Sequence, residues 1–235
     1  MAKVIAVTGA NRGIGAAIAA ELLRRGFTVG SLSRKAVGVD GTLPVACDVN
    51  DEQSVKRAFK TLADKAGRID GLVNNAGVHL YGKSAELATA RYEEVMDTNA
   101  RSVFLGCREV YPYLEGGGGT IVNIGSFFDK LGVKQNLAYC ASKAAVGAIT
   151  RCLAVEWAPK KIRVLDVAPG YIETELNAEA MNKGALRAFL QAGVPTGGAG
   201  GVNDIARLVA ALLSEDLPFL TGETIYVDGG QGIAH

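Results

Sequence analysis

Three observations predict a doubly wound α/β fold, a parallel sheet of about seven strands with helices on both faces, Rossmann-like in outline. Short apolar runs alternate with longer helical patterns, a glycine-rich turn follows the first run, and no linker breaks the alternation. Parallel strands need such crossovers, whereas hairpins do not. At 235 residues and with no Pro- or Ser-rich divide, positions 1–235 are expected to form one domain.

The elements follow in order. Val4–Val7 reads as the first strand and Ile14–Arg25 as an amphipathic helix. Thr28–Ser33 and Leu43–Cys47 are the next strands, but the stretch between them, with Gly38, Asp40 and Gly41, is too short for a crossover helix. A loop or single turn is expected there. Glu52–Ala66 reads as a helix entered through Asp48–Asp51, which offer capping side chains, and stopped by Gly67. Then come the strand Gly71–Asn74, the helix Ala100–Tyr113, a flexible turn at Gly116–Gly119 and the strand Thr120–Ile124. The long helix Ala138–Trp157, the strand Arg163–Ala168, the helix Asp204–Leu213 and the strand Thr224–Val227 complete the pattern.

Charge narrows the partners. Twenty-five basic against twenty-four acidic residues give a net charge of +1, so no global field draws the chain to nucleic acid or to an anionic membrane. The expected partner is a small molecule. Charged residues interrupt every apolar run before it reaches bilayer length, and Met1-Ala2-Lys3 leads directly into a strand, without the regions of a signal peptide. A cytoplasmic location is expected. Cys47, Cys107, Cys140 and Cys152, with His79 and His235, show no ligand spacing, so no metal is expected and the cysteines read as apolar packing residues.

The first turn is Thr8-Gly9-Ala10-Asn11-Arg12-Gly13-Ile14-Gly15. Gly9 suits a tight turn, Gly13 lets backbone approach a bulky anion, and Gly15 permits close packing of helix on strand. The helix that follows presents unpaired N–H groups and the positive end of its dipole, a seat for pyrophosphate. No Lys-Ser or Lys-Thr closes the pattern, so a dinucleotide is preferred to a nucleoside triphosphate. The second strand ends Ser31-Leu32-Ser33-Arg34-Lys35, with two cations where a ribose 2′-hydroxyl would call for a carboxylate. Arg34 with Arg12 favours a 2′-phosphate through charge-assisted bonds, hence NADP(H) over NAD(H), the latter remaining possible.

Tyr139 and Lys143 stand at i and i+4, on one face of the long helix. An ammonium there is expected to lower the tyrosine pKa and make it a usable acid or base. Ser126, past the end of a strand, is placed to hydrogen-bond a carbonyl oxygen, and Asn99 to hold a water for proton relay. Taken alone Tyr-x-x-x-Lys is a weak signal; its force comes from occurring with the glycine loop and Ser126.

With these residues in hand the chain resembles the classical short-chain dehydrogenase/reductase family, from Val4 to about Gly230. The family's N-N-A-G appears as Asn74-Asn75-Ala76-Gly77, and its catalytic tetrad matches Asn99, Ser126, Tyr139 and Lys143 in order and approximate spacing. The resemblance implies cofactor contacts from Gly9, Asn11, Arg12, Gly13, Ile14, Gly15, Arg34, Asp48, Val49, Asn75, Ala76, Gly77, Pro169, Gly170, Ile172 and Thr174, with Tyr139 and Lys143 serving cofactor as well as chemistry. It implies hydride transfer between nicotinamide and a carbonyl carbon, and a homotetramer or homodimer packed through Ala100–Tyr113 and Ala138–Trp157, where Ala144, Ala145, Ala148 and Ala154 allow close approach.

Substrate residues are expected at Ser126, Phe127, Gln135, Tyr139 and Tyr171, with His79, Tyr81 and Phe128 beside them as pocket walls and a lid around 175–195. His79 reads as a wall, not as a second acid/base. Leu165 stands where many relatives have Asn and reads as a packing change. Glu115–Thr120 holds no basic residue to meet an acidic carrier, which tilts the expectation toward a small free carbonyl or alcohol, although Lys160 and Lys161 stand nearby in sequence. The alternatives are a 3-oxoacyl-(acyl-carrier-protein) reductase and a non-catalytic NADP(H)-sensing regulator, the latter disfavoured because both Tyr139 and Lys143 are present.

Overall fold

The computed structural model describes residues 2–175 and 177–234, with the side chains of Ala180 and Asn182 excepted, so part of the expected lid and the terminal His235 lie outside the described residues. The strands are β1 (Val4–Thr8), β2 (Thr28–Ser33), β3 (Leu43–Ala46), β4 (Gly71–Asn74), β5 (Gly119–Ile124), β6 (Ile162–Pro169), β7 (Ile172–Glu173), β8 (Gly200–Gly201) and β9 (Thr224–Val227). The helices are α1 (Gly13–Arg24), α2 (Glu52–Ala66), α3 (Thr89–Met96), α4 (Ser102–Leu114), α5 (Leu137–Trp157), α6 (Ala178–Asn182), α7 (Gly184–Gly193) and α8 (Val202–Ser214).

Seven strands form one sheet in the order β3-β2-β1-β4-β5-β6-β9, every pair parallel. Because the order reverses between β1 and β4, the connections leave those two strand ends in opposite directions and open a crevice there. Alternate side chains feed two cores. Val4, Ala6, Leu72, Ile121 and Val164 join Phe59, Leu62, Val110 and Leu114 beneath α2, α4 and α5, whereas Ile5, Val7, Val73, Val122 and Val167 join Ile18, Leu22, Ile205 and Val209 beneath α1 and α8. Leu165 is buried in the second core, which accounts for an apolar residue at that place.

No helix joins β2 to β3. Ser33 instead closes the connection on itself, its hydroxyl donating to the Val37 carbonyl at 2.7 Å and accepting from the Val37 N–H at 2.9 Å. The capping expectation for α2 is met: Asp51 accepts from the Gln53 N–H at 2.9 Å, and Gly67 ends the helix at φ +80°.

The structure adds elements that the pattern did not foretell. α3 buries a single residue, Val95, so its apolar stripe is too thin to read. A π-helical turn, Asp97–Arg101, precedes α4, which therefore begins at Ser102 and not at Ala100. The lid region holds α6 and α7, and the segment after β6 makes a short parallel ribbon, Ile172 and Glu173 pairing with Gly200 and Gly201. Among the described residues no helix is long and apolar enough to cross a membrane. Cys47 and Cys107 are buried and burial pushes each thiol up to about 12, but Cys152 is exposed and Cys140 half-buried, so packing explains only the first two fully.

Candidate active site

At the β1 side of the crevice Thr8 ties the end of β1 to the end of β4 and the loop after it. Its hydroxyl accepts from the N–H groups of Asn75 at 2.9 Å and Ala76 at 3.0 Å and donates to the Val73 carbonyl at 3.4 Å. Asn75 returns the tie, its Nδ2 donating to the carbonyls of Thr8 at 2.9 Å and Gly9 at 3.3 Å. Its amide is thus committed to holding the glycine loop instead of reaching into the crevice. Gly77 packs on Asn99, whose Oδ1 would stand 3.2 Å from any Cβ there.

Gly9 and Gly13 adopt φ of +65° and +55°, where side chains are strained. A Cβ on Gly15 would overlap the Gly9 carbonyl, so only glycine lets α1 start this close to β1. Arg12, at the N-cap of α1, makes no side-chain cap, and the first N–H groups of the helix are left without one. Across from them stands Thr174, its Cγ2 3.7 Å from where a Gly13 Cβ would lie. Pro169 and Gly170 lead the chain there, Gly170 donating to the Val227 carbonyl at 2.9 Å and packing against Asp228. Ile172 is then buried in the ribbon, and the Thr174 N–H is held by Asn177 Oδ1 at 2.7 Å.

An uncapped helix start, bare backbone at Gly13 and a hydroxyl residue facing it are what a pyrophosphate needs. At the end of β2 Arg34 and Lys35 are exposed, as are Asn11 and Arg12, while the Ser33 hydroxyl is spent on Val37. Past β3 Asp48 is exposed and accepts from the Asn50 N–H at 3.0 Å, and Val49 packs against the core. The residues present therefore fit a dinucleotide laid from β2 across the glycine loop, with cations at its adenosine end.

The β5 side is built differently. Ser126, beyond the end of β5, is buried, accepts from the Phe128 N–H at 3.2 Å and hydrogen-bonds the Tyr139 phenol. Lys143 lies one turn along α5, its Nζ donating to the Ile124 carbonyl at 2.7 Å and standing 5.7 Å from the Tyr139 ring centre. The three expected side chains do meet. The expected fall in the Tyr139 pKa does not occur: burial holds the phenol above its usual value, with the Ser126 hydrogen bond pulling weakly the other way. Lys143 is itself buried, which lowers its ammonium to about 8, and it spends one of its three protons on the Ile124 carbonyl.

Asn99 departs further. It sits in the π turn with Oδ1 accepting from the Val78 N–H at 2.8 Å and Nδ2 donating to the Val78 carbonyl at 2.8 Å and to Ser142 at 3.1 Å. Its side chain is a strut between the loop after β4 and α5, with both Nδ2 protons used and one of the two Oδ1 acceptor positions taken.

The walls are aromatic. His79 stacks on Tyr139 at 4.3 Å between ring centres, and its Nε2 donates to Asn136 Oδ1 at 2.5 Å. Phe128 meets Tyr139 edge-on at 5.9 Å and Tyr171 at 6.1 Å; Phe127 meets Tyr171 at 5.7 Å, and Tyr171 meets Phe189 of the lid at 6.3 Å. Gln135 is exposed, with φ +64°, and its carbonyl accepts from the Gly82 N–H at 2.9 Å, so it shapes the wall through backbone. Tyr81 lies at the rim. Sequence reasoning missed Asn136, for which no pattern speaks, and Asp166, a carboxylate inside the apolar strand Ile162–Pro169, where the signal was present. Glu115–Gly119 lies at the amino ends of β5 and β6, Gly119 donating to the Lys161 carbonyl at 3.1 Å. That is a strand length from Ser126, so its lack of basic residues does not bear on what enters this crevice.

Residues 9–231 match a family model described as enoyl-(acyl carrier protein) reductase. The D-threitol dehydrogenase of Mycolicibacterium smegmatis is 35% identical, over 98% of this chain and 93% of that protein. The 3-oxoacyl-(acyl-carrier-protein) reductase of Vibrio cholerae is also 35% identical, over 97% of this chain and 96% of its own length. A short-chain type dehydrogenase/reductase from Mycobacterium marinum superposes with a TM-score of 0.90 at 31% identity, covering 97% of this chain and 95% of that one.

Proposed function

The chain belongs to the short-chain dehydrogenase/reductase family, and from that premise we propose that it is an NADP(H)-dependent oxidoreductase acting on a small free carbonyl or the matching alcohol. It is an oxidoreductase of CH–OH groups using a nicotinamide cofactor; the proposal concerns which cofactor and which substrate. The observation that carries it is the joining of Ser126, Tyr139 and Lys143 at one end of the crevice with exposed Arg12 and Arg34 at the other.

The nicotinamide, when bound, supplies or accepts the hydride. In reduction Tyr139 gives its proton to the carbonyl oxygen, and Ser126 donates a hydrogen bond that holds this oxygen in place. A phenol whose pKa is raised by burial is still protonated at neutral pH, which suits that direction. The tyrosinate left behind is stabilised by the Lys143 ammonium over its ring face. Oxidation runs the same transfers backward and needs Tyr139 deprotonated, so its rate rises with pH. Apolar and planar carbonyls suit the walls formed by Phe127, Phe128 and Tyr171. The segment 175–195 serves as a lid over them, and all of 1–235 as one domain. Exposed Phe104 and Val155, with Ala144 and Ala148, favour self-association through α4 and α5 into a homotetramer or homodimer. Ala154 is buried within its own subunit and takes no part. A cytoplasmic location belongs to the same reading.

The test is NADPH against NADH oxidation with a panel of ketones, aldehydes, sugars, quinones and acyl thioesters. Turnover of free carbonyls with NADPH supports the proposal. Turnover confined to acyl thioesters replaces it with an acyl-carrier-protein reductase, and cofactor binding without any turnover replaces it with a sensor.

A further inference from the structure

A row of polar side chains crosses the sheet under α5. Asn74, Asn123, Asp166 and Thr224 stand opposite one another on β4, β5, β6 and β9. Asn74 Nδ2 donates to Asn123 Oδ1 at 2.9 Å, and Asn123 Nδ2 donates to Thr150 of α5 at 2.9 Å. Asp166 is the one ionisable member, and it is fully buried. Thr224 donates to its Oδ2 at 3.3 Å, while Oδ1 has no hydrogen-bond partner. Besides Thr224 only the Gly125 backbone helps to stabilise the charged carboxyl by hydrogen bonding, and a buried carboxylate so thinly satisfied is costly and needs a charge to answer it.

The position of the carboxyl supplies that answer. A Cβ on Gly125 would lie 2.7 Å from Asp166 Oδ2 and 2.9 Å from Cγ, so the carboxyl group occupies the space beside the Gly125 backbone. Gly125 is flanked by Ile124, whose carbonyl accepts the Lys143 Nζ bond, and by Ser126. Asp166 and Lys143 thus approach the same short piece of backbone from the strand and from the helix.

We propose that Asp166 is a positioning residue, the buried counter-ion that keeps Lys143 in its ammonium form beneath the Tyr139–Ser126 pair. The proposal rests on the functional reading above only in giving Lys143 a task; the coupling of the two charges is a property of the protein without cofactor. Burial lowers Lys143 to about 8 while Asp166 opposes the fall, and burial raises Asp166 to about 6 while Lys143 opposes the rise. The other groups around the carboxyl are few. Asp129, from the turn after β5, raises it further; Arg151 of α5 comes together with Asp129 and Thr224 around Gly147; and Tyr226 of β9 turns its hydroxyl to Asp129 at 2.9 Å. Glu223 contributes only its carbonyl, to the Asp166 N–H. Lys143 is the cation that reaches it inside the fold.

The experiment is an NMR titration of the lysine side-chain Cε signals in the apoprotein, with Lys143 assigned by its loss in Lys143→Met. In Asp166→Asn the Lys143 midpoint is expected to fall by about one pH unit or more, because the charge that opposes the effect of burial has gone. The alkaline limb of kcat is expected to move down with it, at unchanged Kd for the reduced cofactor. Should Asp166→Asn not fold, Thr224→Val serves: it removes the hydroxyl bond to the carboxylate, so the carboxyl titration, followed through Asp166 Cγ, moves up and that of Lys143 moves down. An unmoved Lys143 midpoint in a folded variant overturns the proposal, whatever the turnover assays give. A shifted midpoint without any turnover keeps the counter-ion and removes the oxidoreductase reading.

Discussion

The two sides of the crevice solve different physical problems with different materials. On the β1 and β2 side the groups offered are backbone N–H at an uncapped helix start, bare Cα positions at Gly9 and Gly13, and exposed guanidinium groups. On the β5 and β6 side the groups are side chains, and Ser126, Lys143 and Asp166 are all nearly or wholly buried. Backbone and exposed cations suffice to hold a charged ligand whose own phosphates supply the strong field. Proton transfer instead needs groups whose affinities for a proton differ from their values in water, and burial provides that. Binding and chemistry should therefore be separable by mutation.

The largest separation is expected at Tyr139. Tyr139→Phe removes the proton donor and should lower kcat by roughly a thousandfold. NADPH affinity, read by fluorescence titration, should change less than about threefold, since a single peripheral contact is lost. If affinity collapses along with kcat, the two sides are not independent.

Gly15→Ala attacks the other side. Its Cβ meets the Gly9 carbonyl and the Asn75 amide, neither of which can swing aside without opening the loop. Cofactor affinity should weaken by about tenfold or more and the protein should lose about 1–3 kcal/mol of stability, measured by denaturant unfolding. An unchanged Kd would mean that the glycine loop does not seat the phosphates.

Arg34→Ser is gentler and more specific. Loss of one charge-assisted contact, about 1.5–3 kcal/mol, should reduce the NADPH-to-NADH ratio of kcat/KM by about tenfold or more while leaving kcat with saturating cofactor alone. A ratio that does not move would make Arg34 a solvated loop charge. Smallest is Phe128→Leu, which trades the edge-on contacts to Tyr139 and Tyr171 for an aliphatic wall. KM for an aromatic ketone should rise by about two- to tenfold, with little change for a small aliphatic one.

The crevice also shows why some functions were legible in advance and others were not. The glycine turn, Ser126, Tyr139 and Lys143 could be read because each stands at a fixed place relative to a strand end or a helical turn, and local spacing carries that information. The role of Asn99 could not be read that way. Its partners, Val78 and Ser142, are 21 and 43 positions away, and only folding reveals that its amide bridges the loop after β4 to α5. Asn75 is similar, its amide spent on Thr8 and Gly9 across 67 and 66 positions.

Sequence alone determined the order of the seven strands of the main sheet and of α1, α2, α4, α5 and α8, the missing crossover helix between β2 and β3, and the placing of glycines where backbone must turn or come close, because all of these follow from local periodicity and sterics. It did not determine the proton affinities. Tyr139 was expected to be lowered by the lysine one turn away and is raised instead, since the sign depends on how much water the fold removes. Nor did it place Asp166 beside Gly125, across the backbone from Lys143. Those relations exist only between elements distant in the chain, and desolvation, which fixes their energetics, is a property of the assembled interior and of no segment within it.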